Sequence, residues 1–285
     1  MDRTSLKKIE GLRTAEERAL YGSDGVWAYN CAFDGEEDGE SAFKESKNIL
    51  AEKSFFNLRY PFWHDTALEI VDCEMTEKCR APLWYDEDVS VRNTKMHGVK
   101  ALRECRNVKI ENCDILSPEF GWCTENVCFL DSRAEGEYFL FRGREIYAKG
   151  LRFKGKYSFQ YVENATLENC VLDTKDAFWH AKNVTVKNCE VKGEYLAWYS
   201  ENLTMIDCRI SGTQPFCYCK NLKLINCSMT DADLAFEKST VDATVTTPVV
   251  SIKNPTAGRI VLPSVGEVIL TDENAKCEIV TEIKA

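Results

Sequence analysis

The stretch Asn183-Val184-Thr185-Val186-Lys187-Asn188-Cys189 decides the fold, because its pattern returns with a period of 19. The residues equivalent to Asn183 are Asp88, Asn107, Asn126, Glu145, Asn164, Asn202, Asn221 and Thr240. Together they make eight consecutive steps of this same length without an insertion. A fixed period of this length indicates a solenoid, in which each repeat forms one coil stacked on the next.

Each repeat contains three short strands and leaves no room for a helix. The first strand alternates apolar and polar residues, as in Val184, Thr185 and Val186, which is the period-two pattern of a half-buried strand. Asn recurs at two corners, where it tolerates left-handed backbone angles, and stacked coils let its amides form ladders. We therefore predict an all-β, right-handed parallel β-helix solenoid of about 11 coils with a 19-residue repeat.

Two other solenoids compete with this prediction. Left-handed β-helices are built from hexapeptides, and a period of 19 is not a multiple of six. Leucine-rich repeats of about 20–29 residues, which spend part of each unit on a helix, remain the minority alternative.

The two ends of the chain depart from the repeat. We treat residues 1–285 as a single β-helix domain, with an N-terminal cap at 1–24, repeats at 25–240 and irregular C-terminal coils with a cap at 241–285. Thr14-Ala15-Glu16-Glu17 fits a capping box and predicts a short helical cap through Leu20. Such a plug is expected because an open last coil exposes unpaired strand edges.

Composition limits the classes of partner. A formal net charge of −10 argues against nucleic acid and against an anionic membrane surface. No apolar run reaches the ~18 residues of a membrane span, and the N-terminus lacks the apolar stretch of a secretory signal, which predicts a cytoplasmic protein. The fourteen cysteines are then expected to be reduced, and they contain no C-x-x-C pair. We expect no metal site and no cofactor.

Several segments resemble one family. They are Glu17-Arg18-Ala19-Leu20-Tyr21-Gly22-Ser23-Asp24-Gly25, Lys44-Glu45-Ser46-Lys47-Asn48, Lys175-Asp176-Ala177-Phe178-Trp179, Gly193-Glu194-Tyr195-Leu196-Ala197-Trp198 and Leu234-Ala235-Phe236-Glu237-Lys238-Ser239-Thr240-Val241-Asp242-Ala243. Together they resemble the bacterial family called domain of unknown function 3737. The resemblance implies a pectin-lyase-like β-helix over essentially the whole chain. It implies no activity, so the catalytic residues are unknown.

One column of the repeat is unusually aromatic. Its members are Trp63, Trp84, Trp122, Phe141, Trp179, Trp198 and Phe236, and it also holds Lys44, Arg103 and Gln160. Because these polar residues share the column, we expect it to face outward, edged by two neighbouring polar columns. An exposed indole face beside hydroxyls and carboxylates suits a sugar ring, and an exposed apolar stripe marks an interaction site. The predicted ligand-binding residues are Trp179, Trp198, Asp176, His180, Tyr195, Tyr199, Tyr161 and Arg142.

The sequence leaves two classes of function open. In the first, the protein is a non-catalytic scaffold that binds a carbohydrate or protein along the aromatic stripe. In the second, it is an intracellular carbohydrate-active enzyme resembling a glycoside hydrolase or polysaccharide lyase. The same column also fits a core-covering role or a homo-oligomer interface.

Overall fold

The computed structural model describes residues 1–36 and 39–281, which divide into two compact units, Met1–Arg144 and Glu145–Ala285. Within each unit the strands pair in parallel with the equivalent strands of the next coil. The helices of the described residues are two 3₁₀ turns, Arg3–Ser5 and Glu77–Cys79. The predicted parallel β-helix is confirmed, and the leucine-rich alternative, which needs a helical segment in each repeat, is wrong.

The strands of the first unit are short and regularly spaced. They are β1 Lys7–Glu10, β2 Arg13–Thr14, β3 Asp24–Tyr29, β4 Ala32–Phe33, β5 Lys47–Glu52, β6 Phe55–Phe56, β7 Phe62–Trp63, β8 Thr66–Val71, β9 Glu74–Met75, β10 Leu83–Trp84, β11 Glu87–Arg92, β12 Lys95–Met96, β13 Leu102–Arg103, β14 Arg106–Glu111, β15 Asp114–Leu116, β16 Glu119–Phe120, β17 Glu125–Leu130, β18 Arg133–Gly136 and β19 Tyr138–Phe139.

The later strands repeat the same arrangement. They are β20 Arg144–Lys149, β21 Arg152–Lys156, β22 Glu163–Glu168, β23 Val171–Lys175, β24 Lys182–Lys187, β25 Glu190–Lys192, β26 Glu201–Ile206, β27 Arg209–Ser211, β28 Leu222–Thr230, β29 Thr240–Val245, β30 Val249–Lys253, β31 Ala257–Leu262, β32 Val265–Ile269 and β33 Glu278–Thr281.

The faces of the long strands agree with the sequence pattern. In β24 the side chains of Val184 and Val186 are buried, whereas Lys187 is exposed. The predicted asparagine ladder is also present. The side-chain amide of Asn183 donates to Oδ1 of Asn164 at 3.0 Å, and that of Asn202 donates to Oδ1 of Asn183 at 2.9 Å. Asn183 has a φ of 54°, the left-handed conformation that its side chain tolerates.

The predicted helical cap at the N-terminus is wrong. Thr14 ends the strand β2, and its hydroxyl accepts a hydrogen bond from the backbone N–H of Glu16 in a turn. The N–H groups of Arg18 and Leu20 donate to carbonyls of the next coil, those of Glu40 and Ala42. These N–H groups therefore form hydrogen bonds between coils and not the i→i−4 hydrogen bonds of a helix.

The predicted number of coils was too low, because coils near the ends differ in length. One parallel sheet contains one strand from each coil. Seven of its strands lie in the first unit (β1, β3, β5, β8, β11, β14 and β17), and seven lie wholly in the second (β22, β24, β26, β28, β29, β31 and β33). Val26 pairs with Ile49, so this coil is longer than the regular repeat, whereas Val241 pairs with Gly258 in a coil that is shorter. Coils of these other lengths do not follow the strict 19-residue period, so the sequence pattern alone does not reveal them.

One predicted member of the aromatic column lies in the core instead. Phe236 is fully buried and stacks on Phe216, with ring centroids 5.9 Å apart. The left-handed residues Gln214, Phe216 and Tyr218 are matched by Leu234, Phe236 and Lys238, so this step is one residue longer than the regular repeat. The extra residue moves Phe236 from the outward to the inward position.

The fourteen cysteines are free thiols, and eleven of them are buried. Cys170, Cys189, Cys208 and Cys227 recur at successive coils of the second unit, and each Sγ–H donates to a main-chain carbonyl. They are small core residues that satisfy their own weak donors. Within residues 1–36 and 39–281, no helix has the length and apolar character that crossing a membrane requires.

Candidate functional site

The two tryptophans of the second unit are stacked on each other. The rings of Trp179 and Trp198 are 5.5 Å apart and within 4° of parallel, and both residues are half-buried. Each indole N–H donates to a main-chain carbonyl, that of Trp179 to Tyr195 at 2.7 Å and that of Trp198 to Gln214 at 2.8 Å. One face of each ring is thus covered by the other ring.

Beside the tryptophans runs a second row of rings, which we call the ring stack: Tyr161, His180, Tyr199 and Tyr218. Successive ring centroids are 4.8, 4.9 and 4.8 Å apart, and neighbouring planes lie within 11° of parallel. Tyr161 and Tyr199 are 43% and 46% exposed. The ring stack is therefore the accessible aromatic surface of this unit.

Left-handed backbone angles hold the ring stack in place. Tyr161, His180 and Tyr199 have φ values of 56°, 54° and 61°. Their N–H groups donate to carbonyls one coil on, those of Tyr161 and His180 to Trp179 and Trp198. Burial lowers the pKa of His180 from its ordinary value, so its imidazole is neutral at physiological pH and offers one donor and one acceptor.

Tyr195 joins the tryptophans to a charged edge. Its ring packs edge-on against Trp198 at 5.3 Å, and the ammonium of Lys175 lies 5.2 Å from its centroid. Asp176 is only 6% exposed, and burial raises the pKa of its carboxyl; Lys175 opposes the rise and Glu194 adds to it. Tyr195, Lys175 and Glu194 form one surface above the buried Asp176, because Lys175 and Glu194 are themselves paired at 3.0 Å.

Seven of the eight predicted site residues therefore lie in adjoining columns of the second unit. The eighth, Arg142, belongs to the first unit, where its guanidinium lies 5.3 Å from the ring centroid of Phe141.

The first unit carries a related column in which cations cover the indoles. Lys44 lies over Trp63 at 4.2 Å, Trp63 stacks on Trp84 at 5.4 Å, and Arg103 lies 5.6 Å from both Trp84 and Trp122. Cation–π contacts of this kind stabilise the column by about 0.5–1 kcal/mol each at exposed sites. These indole faces are occupied by side chains of the protein itself.

Sequence reasoning missed a groove in the second unit, which we call the glycine groove. It has a volume of about 360 Å³ and a floor containing Gly155, Gly193 and Gly212. A Cβ at Gly193, where φ is +152°, would lie 1.4 Å from the carbonyl oxygen of Thr174. The coils therefore pack too closely for a side chain there. The available signal was Gly at one repeat position in three of four successive coils, with charged residues on both sides of Gly155 and Gly193.

Sequence reasoning also missed a buried carboxyl pair in the first unit. Asp65 and Asp86 are each 1% exposed. Oδ1 of Asp65 accepts from the N–H of Ser46, and Oδ1 of Asp86 accepts from the N–H of Asp65, both at 2.8 Å. Their Oδ2 atoms have no hydrogen-bond partner among the described residues. Burial and mutual repulsion raise the pKa of Asp65 to about 9, and burial raises the pKa of Asp86.

Burial closes this carboxyl pair to any ligand at the surface. Among the described residues, no group of three or more His, Cys, Asp or Glu side chains is arranged to hold a metal ion. In the second unit, the ring stack, the glycine groove and the charged residues between them bring accessible aromatic and ionisable groups together.

Comparison with known proteins gives a family and distant structural similarities. The family model described as "Protein of unknown function (DUF3737)" matches residues 7–284. No curated protein sequence matches the chain. The mannuronan C-5 epimerase AlgE6 A-module of Azotobacter vinelandii is similar in structure, with a TM-score of 0.48 and 12% identity over 97% of this chain and 90% of that one.

A second similar structure is the surface protein and adhesin PfbA of Streptococcus pneumoniae. Its TM-score is 0.35 at 9% identity, and the match covers 96% of this chain and 82% of that one. Likenesses this distant carry no argument about ligand or activity.

Proposed function

The chain belongs to the family of unknown function DUF3737, and we propose that it is a non-catalytic scaffold that binds carbohydrate along the ring stack of its second unit. The observation that carries the proposal is the register of four stacked rings, of which Tyr161 and Tyr199 are exposed and His180 and Tyr218 are half-buried. Tyr and His side chains combine an apolar body with a hydrogen-bonding tip. Sugars have the same mixed character, with C–H groups and hydroxyls on one ring.

The spacing of the ring stack favours a repetitive ligand. The same contact recurs at each coil, about 4.8 Å apart as parallel strands require. A polymer of similar units gains from several weak contacts at once, because linked contacts raise the effective concentration of the next. The expected recognition uses ring edges, phenol hydroxyls and the imidazole of His180, rather than the open indole face expected from the sequence.

Binding without catalysis is favoured by the positions of the carboxyl groups. Glycoside hydrolysis needs two carboxyl groups about 5–9.5 Å apart on either side of an accessible bond. The pair Asp65 and Asp86 is buried in the core of the first unit. In the second unit Glu194 is engaged with Lys175. The exposed carboxylates Asp173 and Asp231 are three coils apart, which is about 14 Å at ~4.8 Å per coil and wider than that range.

One observation favours the alternative of a carbohydrate-active enzyme. Asp176 lies beside the glycine groove, next to Lys175, and burial raises the pKa of its carboxyl, as for a general acid. If this alternative holds, a reducing-end assay on a bound glycan detects product, and Asp176→Asn abolishes it without abolishing binding.

The proposal is tested on a glycan array, followed by calorimetric titration of each hit. We expect Tyr161→Ala combined with Tyr199→Ala to weaken binding at least tenfold, since both exposed rings are lost. Tyr21→Ala is the matched control, because Tyr21 is 48% exposed but lies in the first unit. Equal affinities for the double variant and wild type would refute the role of the ring stack, and a protein that binds no glycan would refute the function.

A further inference from the structure

We infer that the carbohydrate is a neutral polyhydroxylated chain, not an acidic polymer, and that it occupies the glycine groove beside the ring stack. This inference rests on the proposed function and adds the class of ligand and a second contact surface. It follows from the shape of the groove, its continuity with the aromatic surface and the charges along its rim.

The glycine groove and the ring stack are parts of one surface. Lys175 forms part of the groove wall and lies over the ring of Tyr195. Tyr195 contacts Trp198, and the ring of Trp198 packs edge-on against Tyr218 at 5.6 Å. A ligand in contact with the ring stack therefore reaches the groove across this short bridge of side chains.

The floor of the groove is built from main chain. Gly193 and Gly212 carry no side chain, and the coils approach so closely that a Cβ at Gly212 would lie 2.0 Å from the carbonyl oxygen of Gly193. Pockets for small ligands have volumes of about 300–1,000 Å³, so the groove of about 360 Å³ is large enough for a short stretch of a chain.

Five charged side chains line the rim, and two of them, Lys175 and Glu194, form an ion pair with each other. Asp173 and Lys192 occupy paired positions on β23 and β25, and Asp231 lies two coils further on. In the described part of the chain these three side chains make no ion pair or hydrogen bond, although all are exposed. They are therefore available to bind a ligand, whereas Lys175 and Glu194 already satisfy each other.

The balance of charge determines which ligand fits. The rim holds three carboxylates, Asp173, Glu194 and Asp231, against two ammonium groups, Lys175 and Lys192. A hydroxyl group both donates and accepts hydrogen bonds, so a neutral sugar satisfies carboxylates and ammoniums alike. A polymer with a carboxylate on each unit meets an excess of like charge on a protein whose net charge is −10, which disfavours its association.

The test compares neutral and uronic-acid oligosaccharides of equal length by calorimetric titration of the full chain, at low salt and at about 0.15 M salt. We expect a neutral oligosaccharide to bind with an affinity that changes little with salt, and the acidic ones to bind at least tenfold more weakly at low salt. Tighter binding of the acidic oligosaccharides would overturn this inference while leaving the proposed function intact. Absence of binding by both classes would refute the two together.

A charge-neutralising variant locates the site. Asp173→Asn combined with Asp231→Asn removes two carboxylates, and we expect the variant to fold normally because both side chains are exposed. Hydrogen bonds to charged groups are stronger than those between neutral groups, so we expect neutral binding to fall about tenfold or more and acidic binding to improve. Glu267→Gln combined with Glu273→Gln is the control for net charge and should change neither. Unchanged neutral binding in the groove variant would place the ligand elsewhere and overturn the inference.

Discussion

The buried carboxyl pair makes the stability of the first unit depend on pH in an unusual direction. Asp65 has an ordinary pKa of 3.8 when unfolded, and the fold raises this pKa to about 9. Between these values the folded state holds a proton that the unfolded state has lost, so the free energy of unfolding falls as pH rises. Most carboxyl groups that form ion pairs have the opposite effect.

Replacing Asp65 by Asn removes this titration. The amide oxygen still accepts the N–H of Ser46, and an NH₂ group takes the place of the protonated Oδ2. One pKa unit corresponds to about 1.36 kcal/mol, and pH 7 lies about three units above 3.8. We therefore expect Asp65→Asn to be up to about 4 kcal/mol more stable than wild type at pH 7, and equally stable below the unfolded pKa.

The assay is urea unfolding of both proteins from pH 4 to pH 8.5, with Glu87→Gln as control. Glu87 is exposed and is adjacent in sequence to Asp86, so its replacement tests for a general effect of charge. The wild-type curve should approach the Asp65→Asn curve as pH falls. A constant difference between the two curves across this range would refute the assignment of a neutral, buried carboxyl.

Three further predictions test the packing. Val186→Asp buries an unpaired charge and should lower the free energy of unfolding by several kcal/mol, whereas Lys187→Asp should lower it by under about 0.5 kcal/mol. Equal losses would mean that the inward and outward faces of this strand are assigned the wrong way round. Trp179→Ala and Trp198→Ala should each lower stability by about 3 kcal/mol because the rings stack and are half-buried, and an unchanged melting temperature would mean that the pair is dispensable. A thiol titration should find few reactive cysteines in the native protein and all fourteen after denaturation; fewer than fourteen in unreduced, denatured protein would reveal disulfides.

The middle of the fold is predictable from sequence because each coil obeys the same constraints. Val184 and Val186 face inward in a strand whose period of two matches the pleat, and Asn183 occupies a corner that needs a left-handed angle. The end coils and the step that buries Phe236 are not predictable in this way. Their register depends on hydrogen bonds between coils. These bonds can form around an extra residue while the alternation of apolar and polar residues in the neighbouring strands stays the same.

The sequence predicts which residues share the neighbouring columns but not how their rings are oriented. Repeat position brings Trp179 and Trp198 together, but the direction of each ring depends on the carbonyl that accepts its N–H bond. The same limit hid Asp65 and Asp86, whose column also contains Ser46 and Cys105. Residue type alone does not separate a buried, protonated carboxyl from an exposed one.

The asparagine ladder carries a dipole that runs along the row of stacked amides. The donor of each amide points to the preceding coil, so the dipoles of Asn164, Asn183, Asn202 and Asn221 align head to tail. The positive end of this row meets a carboxylate, since Asn164 donates to Glu145 at 2.6 Å, and in the first unit Asn107 donates to Asp88 at 2.8 Å.

The acidic residues that replace Asn at the start of these rows are therefore counter-charges, in the way that Asp and Glu favour the N-terminus of a helix. Aligned amides polarise one another, so an interruption inside a row weakens its neighbours as well. A positively charged residue in place of Glu145 would face the positive end of the aligned amide dipoles, which is unfavourable for every amide in the row.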